Sequence, residues 1–425
     1  MPKIVVMGAG SAVFGVKMIR DIVLTPALQG ARLALADTNR KALEVMASIA
    51  TRAADARSFQ LEIEATTDRG RALEGADYVV ICVAKDKDRL WKLDFSVPMK
   101  HGLRHTVGEN GGVGGVFHTL RSVWLVMEIA RDIERLAPYA WVLNFTNPMG
   151  RVCLAMSSLS KLRVIGLCTG LTEQRQRLGE FLDIPVDQMK LVASGLNHFA
   201  WIHEMERLGT GEDLYSALRK KLADAPDDFA PLCRFLFETF GLFPSPSDRE
   251  VGEYVPYATE FTPPRDIKRF DTGPWKKARS ERLAKIAAGQ EPLDEMVPPT
   301  RSGDRAMKII GALETGEESV EEAVNIPNRG YVPGLEDDVI VEVPARVSRA
   351  AADGLQMPRL PEGVLAMLQA QADMQRMTVE AAMEGNKDLA LQAALVDPAV
   401  TSARAAKAAF DELFELEADQ LPQFA

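Results

Sequence analysis

The stretch Lys3-Ile4-Val5-Val6-Met7-Gly8-Ala9-Gly10-Ser11 decides how the rest of the chain is read. An apolar, β-branched run passes straight into two glycines, and helical periodicity takes over from Val16 to Leu24. Glycines at such a junction permit a tight turn and let a phosphate group approach the backbone N–H groups that open the helix. A second strand-like run, Leu33 to Ala36, ends on Asp37, the spacing expected of a carboxylate that binds the ribose hydroxyls of an adenine dinucleotide. A carboxylate there repels a 2′-phosphate, so NAD is expected rather than NADP, held by Gly8, Gly10, Ser11 and Asp37. The third small position of the fingerprint is Val13 instead of Gly or Ala.

Outward from this turn the pattern repeats. Strand-like runs follow at Leu61 to Ala65, Tyr78 to Val83, Trp141 to Phe145 and Val164 to Leu167, separated by helical periodicity at Arg40 to Arg57, Val116 to Leu136 and Gly150 to Ser160. This alternation predicts an α/β fold, a Rossmann-type doubly wound parallel sheet of the lactate and malate dehydrogenase kind over residues 1–170. Residues 171–425 read as a C-terminal α+β domain for substrate, catalysis and oligomerisation. Strands are expected near Lys190 to Ala193 and Trp201 to Leu208, and helices from Pro361 onward. Between them, the charged, proline-bounded stretch Gly273 to Pro299 reads as a mobile segment. Gly330 to Pro344 reads as an antiparallel strand pair about a Pro333-Gly334 turn.

Composition narrows the function. With 425 residues, 47% hydrophobic and 26% charged, the chain can bury a large core. A net charge of -10 argues against nucleic acid, which needs a basic face. No apolar run approaches the roughly 20 residues of a membrane span. The four cysteines show no paired spacing, so a reducing cytoplasm is expected. The expected partner is a small molecule, and the expected assembly a homodimer or homotetramer.

Further segments carry a resemblance. They are Val107-Gly108-Glu109-Asn110-Gly111-Gly112-Val113-Gly114-Gly115 with Leu120-Arg121-Ser122, then Asn144-Phe145-Thr146-Asn147-Pro148, Gly166-Leu167-Cys168 and Gly195-Leu196-Asn197-His198. The tail adds Asn325-Ile326-Pro327-Asn328-Arg329-Gly330 and Val341-Glu342-Val343-Pro344. In order and spacing, over nearly the whole chain, these resemble the NAD-dependent glycosidases of glycoside hydrolase family 4, an exception to the usual two-carboxylate scheme. The resemblance implies an oxidative elimination on a glycoside: hydride passes from sugar C3 to NAD, a base takes the C2 proton, the aglycone leaves C1, water adds and the hydride returns.

It also implies roles. Cys168 and His198 would hold a divalent metal, manganese in the family, beside the C2 and C3 oxygens. Asn147 would reach both cofactor and sugar, with Glu109, Asn110 and His198 also on the substrate. Tyr254 or Asp248, in a stretch similar to the uronidase and galactosidase branch, would be the C2 base. The motif Cys168-Thr169-Gly170-Leu171 departs from the family, because threonine is neither a metal ligand nor a general acid. It points toward the related family 188, which cleaves sulfoquinovosides by the same NAD chemistry. Sulfoquinovose, uronates and 6-phosphosugars all carry an anionic C6 group, for which Arg104, Arg249 and Arg329 are the candidate cations. Two rival readings are a simple NAD-dependent 2-hydroxy acid dehydrogenase, with His198 as its catalytic histidine, and an inactive NAD-binding sensor.

Overall fold

The computed structural model describes residues 1–425. Its first half alternates strand and helix: β1 Lys3–Met7, α1 Phe14–Ile22, β2 Arg32–Ala36, α2 Arg40–Ala56, β3 Glu62–Thr66, α3 Arg69–Leu73, β4 Tyr78–Ile81, α4 Lys87–Lys100, α5 Gly112–Leu136, β5 Trp141–Asn144, α6 Met149–Leu159 and β6 Arg163–Gly166. These six strands are parallel and lie in the order β6-β5-β4-β1-β2-β3. β1, β4 and β5 are buried throughout, as parallel strands covered by helices on both faces must be. The doubly wound sheet therefore agrees with the reading of the sequence.

The second half extends the same sheet. It comprises α7 Gly170–Leu182, β7 Met189–Leu196, β8 Phe199–Arg207, β9 Glu212–Asp213, α8 Leu214–Leu222, α9 Pro231–Phe240, β10 Phe243–Ser245, α10 Asp248–Val251, α11 Ala258–Phe261, α12 Gly273–Ala287, α13 Ala306–Thr315, β11 Ser319–Pro327, β12 Ile340–Val347, β13 Ala352–Gly354, α14 Glu362–Glu384, α15 Lys387–Val396 and α16 Ala403–Leu416. β11 joins β6 antiparallel through Asn325 and Gly166, and β12 joins β7 through Glu342 and Gly195. One 13-stranded sheet thus runs through both halves. The last helices fold back, α14 onto α5 and α6, and α16 onto α4. No helix is long and apolar enough to cross a membrane, and all four cysteines are free.

Two expectations are corrected. The stretch from Gly273 is not a mobile segment but opens the 15-residue helix α12, with Pro at its first turn. Only two of its side chains, Leu283 and Ile286, are buried. With so few apolar anchors its amphipathic signal is faint against the surrounding charge. The strand pair is β11 with β12, and the first strand ends at Pro327. Residues 328–339 form the connection, folded around the buried Asn328, whose amide donates to the carbonyls of Val332 and Leu335.

Candidate active site

The nucleotide turn is built by close packing. Gly8 has φ +84°, and a Cβ there would lie 2.0 Å from the Cys82 carbonyl oxygen at the end of the neighbouring strand. The small residue missing at Val13 is supplied two positions later. A Cβ on Gly15 would meet the Ala9 carbonyl oxygen at 2.0 Å, so Gly15 is what lets α1 press against the turn. The Ser11 hydroxyl accepts from the Phe14 N–H at 3.1 Å. Asp37 is oriented by the N–H groups of Gly10 and Asn39, both at 2.9 Å, and remains partly exposed.

Further along the same row of strand ends lies a second cluster. β5 ends at Asn144, whose amide organises Thr146 so that Asn147 follows at the rim. Cys168 follows β6, and its sulfur accepts from the Gly170 N–H at 3.4 Å where α7 begins. His198 sits in the two-residue turn between β7 and β8 with φ +62°, a left-handed conformation that costs a non-glycine residue free energy. The turn is held from below. The Glu342 carboxylate, buried on β12, accepts from the side-chain amides of Asn197 at 2.9 Å and Asn325 at 3.1 Å. The tail segments that resemble the family thus serve as scaffold for this turn.

The Cys168 sulfur lies close enough to His198 to act on its imidazole. Burial pushes the imidazole down, but the Cys168 sulfur, together with Glu109 and Glu253, raises His198 to about 10. Asn110 lies 3.3 Å from His198 Nδ1. Glu109 is buried, which raises a carboxyl, yet Lys87 at 3.5 Å, His118, His198 and the Asn147 amide hold it down at about 2. Asn147 Oδ1 has no hydrogen-bond partner although buried. A buried polar atom left open in this way is a position for a ligand's donor.

Two residues that carry this geometry were not singled out from the sequence. Glu253 accepts from the backbone N–H groups of Glu109 at 2.6 Å and Asn110 at 2.8 Å, and from the Asn110 amide at 2.9 Å. Burial, then the neighbouring Glu109 charge, raise Glu253 to about 7. Arg151, buried on α6, donates to the Asn110 carbonyl at 2.5 Å and the Gly115 carbonyl at 3.2 Å. The signal for both was a lone charge inside an apolar stretch, Val251-Gly252-Glu253-Tyr254-Val255 and Met149 to Leu159.

Two expected residues, Asp248 and Arg329, are corrected, and the contacts of a third, Tyr254, are defined. Asp248 accepts from the N–H groups of Leu232 and Cys233 at 3.2 and 3.0 Å, capping α9, so its carboxylate is spent on a helix terminus. Tyr254 is buried and stacked on Phe199, and its hydroxyl donates to the Asn197 carbonyl at 2.9 Å. Burial, with Glu253 beside it, pushes its ionisation well above the usual range. Its side chain lines one small cavity together with Asn110, Arg151 and Asn197. Arg329 is exposed and lines a cavity with Trp141 and Arg163, which begin β5 and β6, at the opposite end of the sheet from the crevice. Arg104 is exposed on its loop. Arg249 is different, because one of its terminal guanidinium nitrogens is buried with no partner.

No group of three or more His, Cys, Asp or Glu side chains comes together to hold a metal. Cys168 and His198 offer two donors, which fits an ion that takes its remaining ligands from substrate and water oxygens.

Known proteins resemble the chain over its whole length. An α-glucosidase of Erwinia rhapontici is 32% identical across 95% of both chains. An α-galactosidase of Bacillus subtilis (strain 168) is 30% identical across 100% of both. Among solved structures, a 6-phospho-α-glucosidase from gut microorganisms, in complex with NAD and glucose-6-phosphate, superposes with a TM-score of 0.85 at 22% identity, covering 100% of both chains. A malate dehydrogenase of Plasmodium falciparum shares the fold more distantly, with a TM-score of 0.55 at 12% identity over 92% of this chain and 99% of that one. The model of the family 4 glycosyl hydrolases matches residues 3–184, and that of their C-terminal domain matches residues 193–400. The chain belongs to family 4 of the glycosyl hydrolases.

Proposed function

We propose that the protein is an NAD-dependent glycosidase that cleaves by transient oxidation at sugar C3, acting on α-glycosides with an anionic C6 group. The observation that carries this reading is the order of groups along one row of strand ends. Asp37 follows β2, the Gly8 to Ser11 turn follows β1, Asn147 follows β5 and Cys168 follows β6, with His198 just beyond. That order suits a dinucleotide laid across the sheet from its adenosine to its reactive end, with the sugar at the far side.

NAD, when bound, supplies the hydride acceptor and donor at C3. Manganese, held by Cys168 and His198, would supply positive charge beside the C2 and C3 oxygens. The chain's own part is positioning and electrostatics. The open Asn147 Oδ1 and the anionic Glu109 accept hydrogen bonds from sugar hydroxyls. Asn110 and Tyr254 keep the turn at His198 in register. The α configuration is favoured by the α-glucosidase and α-galactosidase relatives. The C6 anion is favoured by the unpartnered buried nitrogen of Arg249, a charged donor suited to an oxygen of sulfonate, carboxylate or phosphate. Among these, the sulfoquinovoside ranks first because Cys168-Thr169-Gly170-Leu171 departs from the family motif, the uronide second and the 6-phosphoglycoside third. A neutral α-hexoside is the second reading, favoured by those same two relatives.

The test is hydrolysis in heavy water with NAD, on chromogenic α-glycosides of sulfoquinovose, glucuronic acid, 6-phosphoglucose and glucose. Deuterium should appear at C2 of the released sugar, with no net NADH. Cleavage without deuterium at C2 would refute the elimination, and NADH accumulating in step with product would restore the dehydrogenase reading.

A further inference from the structure

α12, the helix that the sequence hid, leans over the nucleotide turn. The Arg279 Nε donates to the Ala12 carbonyl oxygen at 2.8 Å, four residues beyond Gly8. The helix is also pinned on the other side of the crevice. The Thr272 hydroxyl and the Lys276 ammonium reach the Asp88 carboxylate at 2.7 and 2.6 Å, where the chain leaves β4 and enters α4. The segment therefore bridges the turn that follows β1 and the first turn of α4, which follows the neighbouring strand β4.

Its charges are unevenly satisfied. Lys276 pairs with Asp88, Arg282 with Glu291 and Glu295, and Lys285 with Glu291. Arg279 on the same helix has no carboxylate partner. Its guanidinium also lies over the Trp275 ring, 5.6 Å from the centroid. Burial and the nearby Arg282 push its guanidinium down from the usual range, the opposite of what a paired arginine shows. A partly buried, uncompensated cation in a chain of net charge -10, fixed directly above a phosphate-binding turn, is placed for an anion.

We propose that α12 forms the outer wall of the nucleotide site and that Arg279 binds the diphosphate of the dinucleotide through the guanidinium nitrogens left free by its bond to Ala12. This rests on the NAD reading above. The dinucleotide would then be held between the N–H groups at the start of α1 and a cation from the C-terminal half. That is a contact the glycine fingerprint cannot encode.

The experiment is calorimetric titration of NAD into the wild type, Arg279→Gln and Asp37→Ala at low and high salt. Arg279→Gln should weaken NAD binding about tenfold to a hundredfold, the range of a lost charge-assisted contact. It should also flatten the salt dependence, since an exposed ion pair is screened. Asp37→Ala should weaken binding with the salt dependence retained. An Arg279→Gln affinity within twofold of the wild type overturns the proposal while Asp37→Ala still reports on the NAD reading. A weaker affinity with unchanged salt dependence also overturns it, because Arg279 would then act only through the Ala12 carbonyl. A wild type that binds no NAD overturns both.

Discussion

Glu109 and Glu253 meet at one loop and are driven apart in acidity. Glu109 is held near 2 by the cations around it, and its charge helps push the deeply buried Glu253 to about 7. The consequence for stability has a definite sign. A carboxyl raised from an ordinary value of 4.5 to about 7 contributes stability that is fully present below pH 4.5 and is lost as the pH rises through 7. Glu253→Gln, which cannot ionise, should therefore gain on the wild type between pH 5 and pH 8. The limit is roughly 3 kcal/mol, from about 1.4 kcal/mol per pH unit. Parallel melting curves for the two proteins across that range would contradict the assignment. At the neighbouring pair the prediction is chemical. Chelator should abolish glycoside cleavage, manganese should restore it, and His198→Ala should be inactive at any metal level. Full activity in chelator would leave charge stabilisation to the His198 imidazolium alone.

Among the elements, α12 and the β11–β12 pair were the ones misread, for related reasons. Periodicity reports an element only when enough of its residues face a core, and α12 buries only Leu283 and Ile286. Those two side chains are 1% and 0% exposed, so the helix depends on them heavily. Leu283→Ala should cost about 2–4 kcal/mol, and amide exchange should rise across residues 273–287 before it rises in β1. Equal protection in wild type and variant would mean that capping and ion pairs hold the helix without its apolar anchor. In the β11–β12 pair, the Pro-Gly signal at Pro333-Gly334 was a real break, but it lay inside a longer connection whose fold depends on Asn328.

On the scale of the molecule, the C-terminal segment is locked onto the nucleotide half by a buried charge cluster. Arg121 on α5 bonds Asp94 on α4 at 3.1 and 2.5 Å, and also bonds Glu417, just after α16. Both carboxyls are raised, by burial first. Arg121→Met would strand them, and should lower stability by about 3–5 kcal/mol in denaturant titration at pH 8. The loss should shrink at pH 5, where the carboxyls can be protonated. A loss independent of pH would point to packing and not to the stranded charges.

The parallel strands and the nucleotide turn were legible in the sequence because each is local. A strand, a glycine turn and a helix follow one another within about twenty residues, and the hydrophobic period distinguishes them. The motifs at Asn147, Cys168 and His198 were legible too, and the structure places all three after strands of the one sheet. What only the tertiary structure decided is which side chains are already occupied. Asp248 is used by α9, Tyr254 by Asn197, and Arg329 lies at the wrong end of the sheet, because each depends on partners between 15 and 188 positions away in the chain or on strand direction. The same holds for Gly15, Glu253, Arg151 and Arg279. Their roles arise from close approach, burial and unpaired charge, which exist only once the sheet has brought distant segments together.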